Sequence, residues 1–223
     1  MSIAENIKNL KQQLPESVTL VAVSKTKPVA DLQQAYDAGQ RIFGENKIQE
    51  MAAKWEELPK DVEWHMIGHV QTNKVKYMAP FVSLIHAVDS LKLLKEINKQ
   101  AKKHDRVIDC LIQLKIASED SKFGLPPADL ESLLAQKKEL QLDHVRIVGL
   151  MGMATFTENE QQLRSEFDIL KEKYDQYQQS EAFHVLSMGM SGDYLIAIAA
   201  GSTMIRVGSA IFGARNYNWC TRF

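Results

Sequence analysis

The chain has 223 residues, enough to bury a large core in one domain or two small ones, and its 45% hydrophobic and 25% charged residues exclude a disordered chain. Lysine and arginine total 27 against 28 for aspartate and glutamate, so no global field favours nucleic acid or an anionic membrane, and any anion site must be local. No apolar run approaches the roughly 18 residues that span a bilayer. The opening "MSIAENIKNLKQQLPE" has no signal-peptide core, and Cys110 and Cys220 make no disulfide framework or metal knuckle; a cytoplasmic protein is expected.

In chain order, that polar, amphipathic opening predicts an N-terminal helix ahead of the first strand. Strands are predicted at "TLVAVSK" (19–25), "RIFGEN" (41–46), "EWHMIG" (63–68), "LIHAVD" (84–89), "VIDCLIQLKI" (107–116), "VRIVGLMGM" (145–153), "HVLSMGM" (184–190) and "TMIRVGSA" (203–210). Between them, apolar residues recur at helical spacing in "PVADLQQAYDAG", "LKLLKEINKQAKKH" and "ENEQQLRSEFDILKEKYDQYQQ", with Gly39 placed as a helix C-cap. No Gly/Ser-rich linker divides the sequence, so residues 1–223 are expected to form a single domain. Strands apolar on both faces and alternating with helices imply a parallel sheet covered by helices. About eight such units fit a compact (β/α)8 TIM barrel. An open doubly wound sheet is the competitor, but no "GxGxxG" follows the first strand. The expected class is therefore α/β, a (β/α)8 barrel with an extra N-terminal helix.

Barrel enzymes carry their chemistry at the C-terminal ends of the strands. Those ends read Lys25, "GEN" (44–46), "GHVQTNK" (68–74), "DS" (89–90), "KFG" (122–124), "GMAT" (152–155), "GMSGD" (189–193) and "RVGS" (206–209). In "SMGMSGD" an apolar run ends in Gly189, Ser191 and Gly192 and passes directly into the helical "YLIAIAA". Such a turn presents backbone N–H groups at a helix N-terminus, where an anion is favoured, and Ser191 can cap the helix or donate to a phosphate oxygen. "RVGSAIFGA" repeats the arrangement with Gly208 and Ser209. Either turn alone reads sooner as an ordinary cap; two in succession, after strands seven and eight, point to an anion site. Arg206, inside the eighth apolar run, is either salt-bridged to an acid or a permanent donor aimed at a ligand.

Lys25 stands at the end of the first strand, across the barrel mouth from those turns. A solvated surface lysine is the plain alternative. The sharper one is an imine with a phosphorylated aldehyde, favoured if Lys27 and Arg206 lower the amine's pKa. His65 and His69 are four apart but straddle a strand-to-loop transition, and "HMIGH" lacks the glutamate of a zinc protease; no metal site is expected. His69 reads as a polar lid residue, and His65 and His86 as satisfied strand histidines. With no G-x-S-x-G elbow and no Walker loop, hydrolase-triad and NTPase readings have no support.

The segments "AVSKTKP" (22–28), "FGEN" (43–46), "WHMIGHVQTNK" (64–74), "SKFG" (121–124), "GLMGMAT" (149–155), "LSMGMSGD" (186–193) and "AIAAGSTMIRVGSAIFGAR" (197–215) run through the chain in one order. In them the chain resembles the pyridoxal phosphate homeostasis proteins, a family related to the barrel domain of alanine racemase. The resemblance implies a barrel of fold type III carrying pyridoxal 5′-phosphate (PLP) covalently on Lys25 as an internal aldimine. It also implies that Ser191, Gly192, Gly208 and Ser209 hold the phosphate, that Arg206 faces the pyridine nitrogen and that Asn46 lies near the ring. Ser209 stands where threonine is frequent, and Gly192 where an acidic residue or glycine occurs; both substitutions keep the phosphate site intact.

The same resemblance implies a carrier or buffer in vitamin B6 homeostasis rather than an enzyme. An arginine at the ring nitrogen leaves the pyridine neutral and a weaker electron sink. Racemisation, moreover, needs two acid/base groups, and the chain ends at Phe223 without the second domain from which alanine racemases draw a tyrosine. No catalytic residue is assigned, and nothing in the spacing of Tyr77, Tyr194 and Tyr217 puts any of them across the cofactor. PLP-dependent apo-enzymes are the expected recipients and a monomer the expected assembly. The alternatives are a weak PLP enzyme acting on amino acids and a phosphate-binding barrel enzyme without PLP.

Overall fold

The computed structural model describes residues 2–118 and 123–213. Ser121 and Lys122 of the "SKFG" segment, and Tyr217 and Cys220, lie outside the described residues.

The first helix, α1 (Ile3–Gln13), starts at Ser2, whose hydroxyl accepts from the Glu5 N–H while the Glu5 carboxylate accepts from the Ser2 N–H. This reciprocal cap satisfies two of the amide groups that a helix start leaves without partners. The chain then alternates: β1 (Thr19–Val23), α2 (Val29–Asp37), β2 (Ile42–Glu45), α3 (Ile48–Glu57), β3 (Glu63–Met66), a 3₁₀ helix (Thr72–Tyr77) and β4 (Leu84–Val88). It continues with α4 (Leu91–Lys103), β5 (Ile108–Gln113), α5 (Leu130–Glu139), β6 (Val145–Met151), α6 (Glu160–Tyr177), β7 (Val185–Met190), α7 (Tyr194–Ala199), β8 (Met204–Val207) and α8 (Ser209–Phe212). The strands pair in parallel in the order β1 to β8, and β1 closes onto β8 with Val21 opposite Arg206. This is the expected (β/α)8 barrel with its extra N-terminal helix, and every predicted strand is present. The open doubly wound alternative falls with the closure.

Closure sorts side chains by the two-residue period of a strand. Leu20, Ala22, Phe43, Trp64, Met66, Ile205 and Val207 face the helices and form the main core with their apolar stripes. The alternate positions point into the barrel: Val21, Leu84, Leu111, Val148 and Met204 make a separate apolar cluster there. Two residues further along four of the strands, the inward positions become polar: His86 after Leu84, Gln113 after Leu111, Ser187 after Val185 and Arg206 after Met204. All four are buried. The barrel interior thus has an apolar floor and a polar layer above it, below the mouth.

The predicted strands overran their ends, most clearly in 107–116. Ile116 is buried, but β5 stops at Gln113; Leu114 still donates its N–H to the Met151 carbonyl and forms an isolated bridge to Leu125. Apolar burial continues past the strand, and sequence pattern cannot separate the two. Gly39 closes α2 as expected: it lies at φ 86°, its N–H donates to the Tyr36 carbonyl, and the Gln40 N–H donates to the Ala35 carbonyl. A methyl group there meets nothing within 4 Å, so the cost of a side chain is purely that of the left-handed backbone. Gly39→Ala is expected to lower the unfolding free energy by about 1–2 kcal/mol without altering the fold, read from urea denaturation.

Candidate functional site

The loops at the C-terminal ends of the strands enclose a cavity of about 880 Å³. Lys25, Asn46, Ser191, Gly192, Arg206, Gly208 and Ser209, the seven residues singled out in the sequence, all line it. They arrive from β1, β2, β7 and β8, which are contiguous around the barrel. His69, Gln113, Phe123, Thr155 and Phe156 supply much of the opposite wall.

Lys25 lies two residues past the end of β1, and the backbone on either side of it is held. The Ser24 N–H donates to the Gly44 carbonyl at 3.0 Å, and the Ser24 hydroxyl to Glu45 Oε1 at 2.6 Å. Lys54, buried on α3, donates to the Ser24 carbonyl, Glu45 Oε1 and Glu50 Oε1 at 2.7–2.8 Å. Glu50 also accepts the Thr26 N–H at 2.6 Å, and Thr26 sits at φ 64°, a left-handed conformation that a β-branched residue adopts only when its surroundings impose it. Burial pushes the Glu45 carboxyl above its ordinary pKa, against the pull of the Lys54 ammonium and the Ser24 hydroxyl. This clamp was not read from the sequence. Its one signal was the Glu50/Lys54 pair four apart on a helix, which looks like a solvated surface pair.

The two glycine turns meet. The Ser191 hydroxyl accepts the Gly208 N–H at 3.2 Å, joining the turn after β7 to the turn after β8. Ser191 therefore does not cap α7. The N-cap is Asp193, whose carboxylate accepts the Met190 N–H at 2.5 Å. The helices that follow have only six and four residues, too short for a strong macrodipole. What the turns offer an anion is their amide groups. No acceptor among the described residues takes the N–H of Ser191, Gly192, Ser209 or Ala210. With its oxygen engaged by Gly208, the Ser191 hydroxyl keeps its proton to donate. Gly189, at φ 97°, makes the bend possible, since a side chain there would collide with Ala197 on α7 at 2.7 Å.

Arg206 is 4% exposed and has no carboxylate partner among the described residues. Its Nη1 donates to Ser187 Oγ at 2.6 Å and its Nη2 to the Gly152 carbonyl at 3.0 Å. Burial lowers its pKa to about 10, partly opposed by the charge of Asp193, so it stays a cation at neutral pH. Behind it, His86 Nδ1 lies 3.1 Å from Ser187 Oγ, and His86 Nε2 lies 3.0 Å from His65 Nδ1. The satisfied strand histidines expected from the sequence thus satisfy one another. Burial pushes His65 down to about 3, and His86 is held well below its usual value by burial and by its charged or titratable neighbours His65 and Arg206.

On the far wall, His69 stacks on Phe123 with ring centroids 4.7 Å apart, and its Nδ1 lies 3.6 Å from Asp89. Thr155 is fixed by Glu166 on α6, whose carboxylate accepts from the Thr155 N–H and hydroxyl, Gln162 and the Ser118 N–H. Burial alone would raise the Glu166 pKa, but these bonds together hold it below the ordinary range. Lys27, expected beside Lys25, also lines the cavity and donates to the Phe212 carbonyl at 2.8 Å. Among the described residues no cluster of three His, Cys, Asp or Glu side chains could hold a metal, and no helix is long and apolar enough to cross a membrane.

Two measurements check this geometry. Lys54→Met leaves Glu45 and Glu50 together without their cation and is expected to cost about 3–5 kcal/mol of stability in urea, with part regained in the Glu45→Gln/Lys54→Met double variant. The buried histidines set the acid limb. Their folded pKa lies below the ordinary 6.5, so below that pH the unfolded chain takes up protons that the folded one refuses. Stability is unaffected above 6.5 and falls as pH drops, by up to about 1.4 kcal/mol per pH unit per histidine. The urea midpoint between pH 7 and 5 reads this directly, and replacing His65 by Gln should flatten the slope.

Residues 1–216 match the family model described as alanine racemase, N-terminal domain. The pyridoxal phosphate homeostasis protein of Pasteurella multocida is 40% identical over 225 residues, covering 97% of this chain and 96% of that protein. PipY of Synechococcus elongatus PCC7942 has been solved without PLP, at TM-score 0.90 and 39% identity, and with PLP bound, at 0.86 and 38%. Each PipY structure covers 95% of this chain and is itself covered completely. An alanine racemase of Clostridium difficile 630 shares the fold at TM-score 0.75 and 15% identity; the match takes in 97% of this chain and 58% of the enzyme. A family model spanning nearly all the residues and a 40% identical relative matched over almost its full length place the chain in the alanine racemase N-terminal domain family, among the pyridoxal phosphate homeostasis proteins.

Proposed function

We propose that this protein binds PLP in the cavity at the barrel mouth, covalently through Lys25, and serves as an intracellular carrier or buffer of the cofactor. The observation that carries the reading is the convergence on a single cavity of about 880 Å³ of Lys25, two amide-rich turns and Arg206, which has no carboxylate partner among the described residues. The residues fit the group. The turn amides and the hydroxyls of Ser191 and Ser209 suit a phosphate, the Lys25 amine suits an aldehyde, and Arg206 is a donor for the ring nitrogen. Asn46 lines the cavity beside Lys25 and is assigned to the ring substituents. The resemblance of the chain to PipY, solved with PLP bound, supports the same assignment.

When bound, PLP supplies an electron sink for carbanions next to an amine. Here Arg206, always protonated, cannot take a proton from the ring nitrogen or stabilise one there, so the sink stays weak. That supports a carrier rather than an enzyme, as do relatives named for homeostasis. The same reading takes the barrel as a single cytoplasmic domain acting as a monomer and delivering PLP to apo-enzymes. One observation favours a second reading, a weak activity on amino acids: His69, backed by Asp89, places an acid/base group on the cavity wall.

Adding PLP should produce a visible absorption band, and borohydride should fix the cofactor to the peptide that contains Lys25. A modified lysine elsewhere, or no band, contradicts the covalent assignment. Pyridoxal, lacking the phosphate, should bind far more weakly than PLP, and Ser191→Ala should cost on the order of 1–3 kcal/mol of PLP affinity. Incubation with L-alanine in deuterated water separates the two readings. Cα exchange or D-alanine formation at roughly 1 s⁻¹ or above marks an enzyme, and its absence together with PLP delivery to an apo-enzyme marks a carrier.

A further inference from the structure

The polar layer inside the barrel has a direction. Arg206 is donor-only, so the contact of Nη1 with Ser187 Oγ makes the serine oxygen the acceptor. The serine proton must then go elsewhere, and its acceptor among the described residues is His86 Nδ1, 3.1 Å away. His86 accepting at Nδ1 carries its own proton on Nε2, which points to His65 Nδ1 at 3.0 Å. His65 is thereby also the Nε2–H tautomer. Each link fixes the next, and the sequence starts from the one group that cannot reverse its role.

The charges agree with that direction. His86 and His65 are fully buried and held neutral, and the Arg206 cation is one reason that His86 does not protonate. A protonated His86 would have no lone pair for the serine and would place two cations within a few bonds of each other. Among the described residues Arg206 is thus secured by neutral acceptors, Ser187 Oγ and the Gly152 carbonyl. The carboxylate whose charge reaches it, Asp193, is tied to the Met190 N–H. Two of the five guanidinium protons are committed in these bonds.

We propose that Ser187, His86 and His65 are positioning residues for Arg206: a one-way hydrogen-bond chain across the barrel interior that fixes the guanidinium toward the cavity without neutralising it. A carboxylate in the place of Ser187 would hold the arginine as firmly but cancel its charge. The neutral chain leaves that charge, and the remaining donors, to the ligand. The ligand named here as PLP rests on the proposed function, but the chain itself does not.

The test has a ligand-independent arm and a PLP arm. Nitrogen-15 NMR of the purified protein at neutral pH reads the tautomers directly. Both His65 and His86 are expected neutral with the proton on Nε2, and unchanged down to pH 5. A proton on His86 Nδ1, or a charged imidazole, overturns the chain. In Ser187→Ala the Arg206 side-chain nitrogen signals should move and the His86 tautomer change, and Ser187→Thr, which keeps the hydroxyl, should restore both. With PLP added, Ser187→Ala should bind at least about tenfold more weakly, as for loss of a bond to a charged group. The visible band of the lysine-bound cofactor should also titrate at a midpoint displaced by on the order of one pH unit. Unmoved Arg206 signals in a folded Ser187→Ala overturn the positioning role. Should the variant fail to fold, the wild-type tautomers still decide. A wild-type protein that takes up no PLP yet shows both Nε2–H tautomers sinks the cofactor reading and leaves the chain standing.

Discussion

A closed parallel barrel has no edge strand and one interior, so every second residue of eight strands must share that space. Everything at the site follows from this sorting. The lower inward positions are filled by Val21, Leu84, Leu111, Val148 and Met204, which exclude water and give the molecule a rigid floor. Two residues higher, on strands β4, β5, β7 and β8, that same floor leaves polar side chains to bond one another and backbone carbonyls past the strand ends, as Arg206 does with Gly152 and Gln113 with Phe123. His86, Ser187 and Arg206 are therefore organised by the period of the strand before any ligand is considered. An arginine at an outward position of β8 would meet helices and need a carboxylate; at position 206 it meets a serine.

The site has two different supports. Arg206 is held from within the barrel, by side chains of β3, β4 and β7. Lys25 is held from outside it, by Lys54 and Glu50 on α3 acting on the backbone of Ser24 and Thr26. A strand end alone would leave the first residue of the following loop with considerable freedom. The clamp removes it on both sides of Lys25 and keeps Thr26 in a conformation that costs energy elsewhere. Fixing the backbone on both sides sets where the Lys25 side chain starts from at the cavity wall.

The sequence made the outline of this arrangement legible because apolar β-branched runs and glycine turns are local signals. "TLVAVSK" ends on a lysine, "SMGMSGD" and "RVGSA" end on glycine and serine, and the ends of successive strands of a barrel must converge. The supports were invisible for a different reason. When a strand is apolar on both faces, period alone does not say which residues face inward, so Ser187 looked like an unremarkable member of its run, and His65 and His86 read as satisfied strand histidines with their partners unspecified. Lys54 was hidden more deeply still. Its burial depends on the loop after β1 folding over α3, a contact between residues 30 apart that no helical pattern encodes. The short α7 and α8 were anticipated as helices, yet their six and four residues change the physics of the anion site from dipole to amide groups.

The bond from the Gly208 N–H to the Ser191 hydroxyl has a kinetic meaning. It ties together two turns from adjacent strands, so their amides already stand in a fixed mutual orientation when an anion arrives. For the proposed phosphate site this leaves little chain entropy to be lost on capture, so that diffusion and orientation rather than loop closure would limit association. Residence time then depends on how many amide and hydroxyl contacts must break together. In the proposed PLP carrier, such a preformed cradle would fill quickly and empty at a rate that single side chains tune.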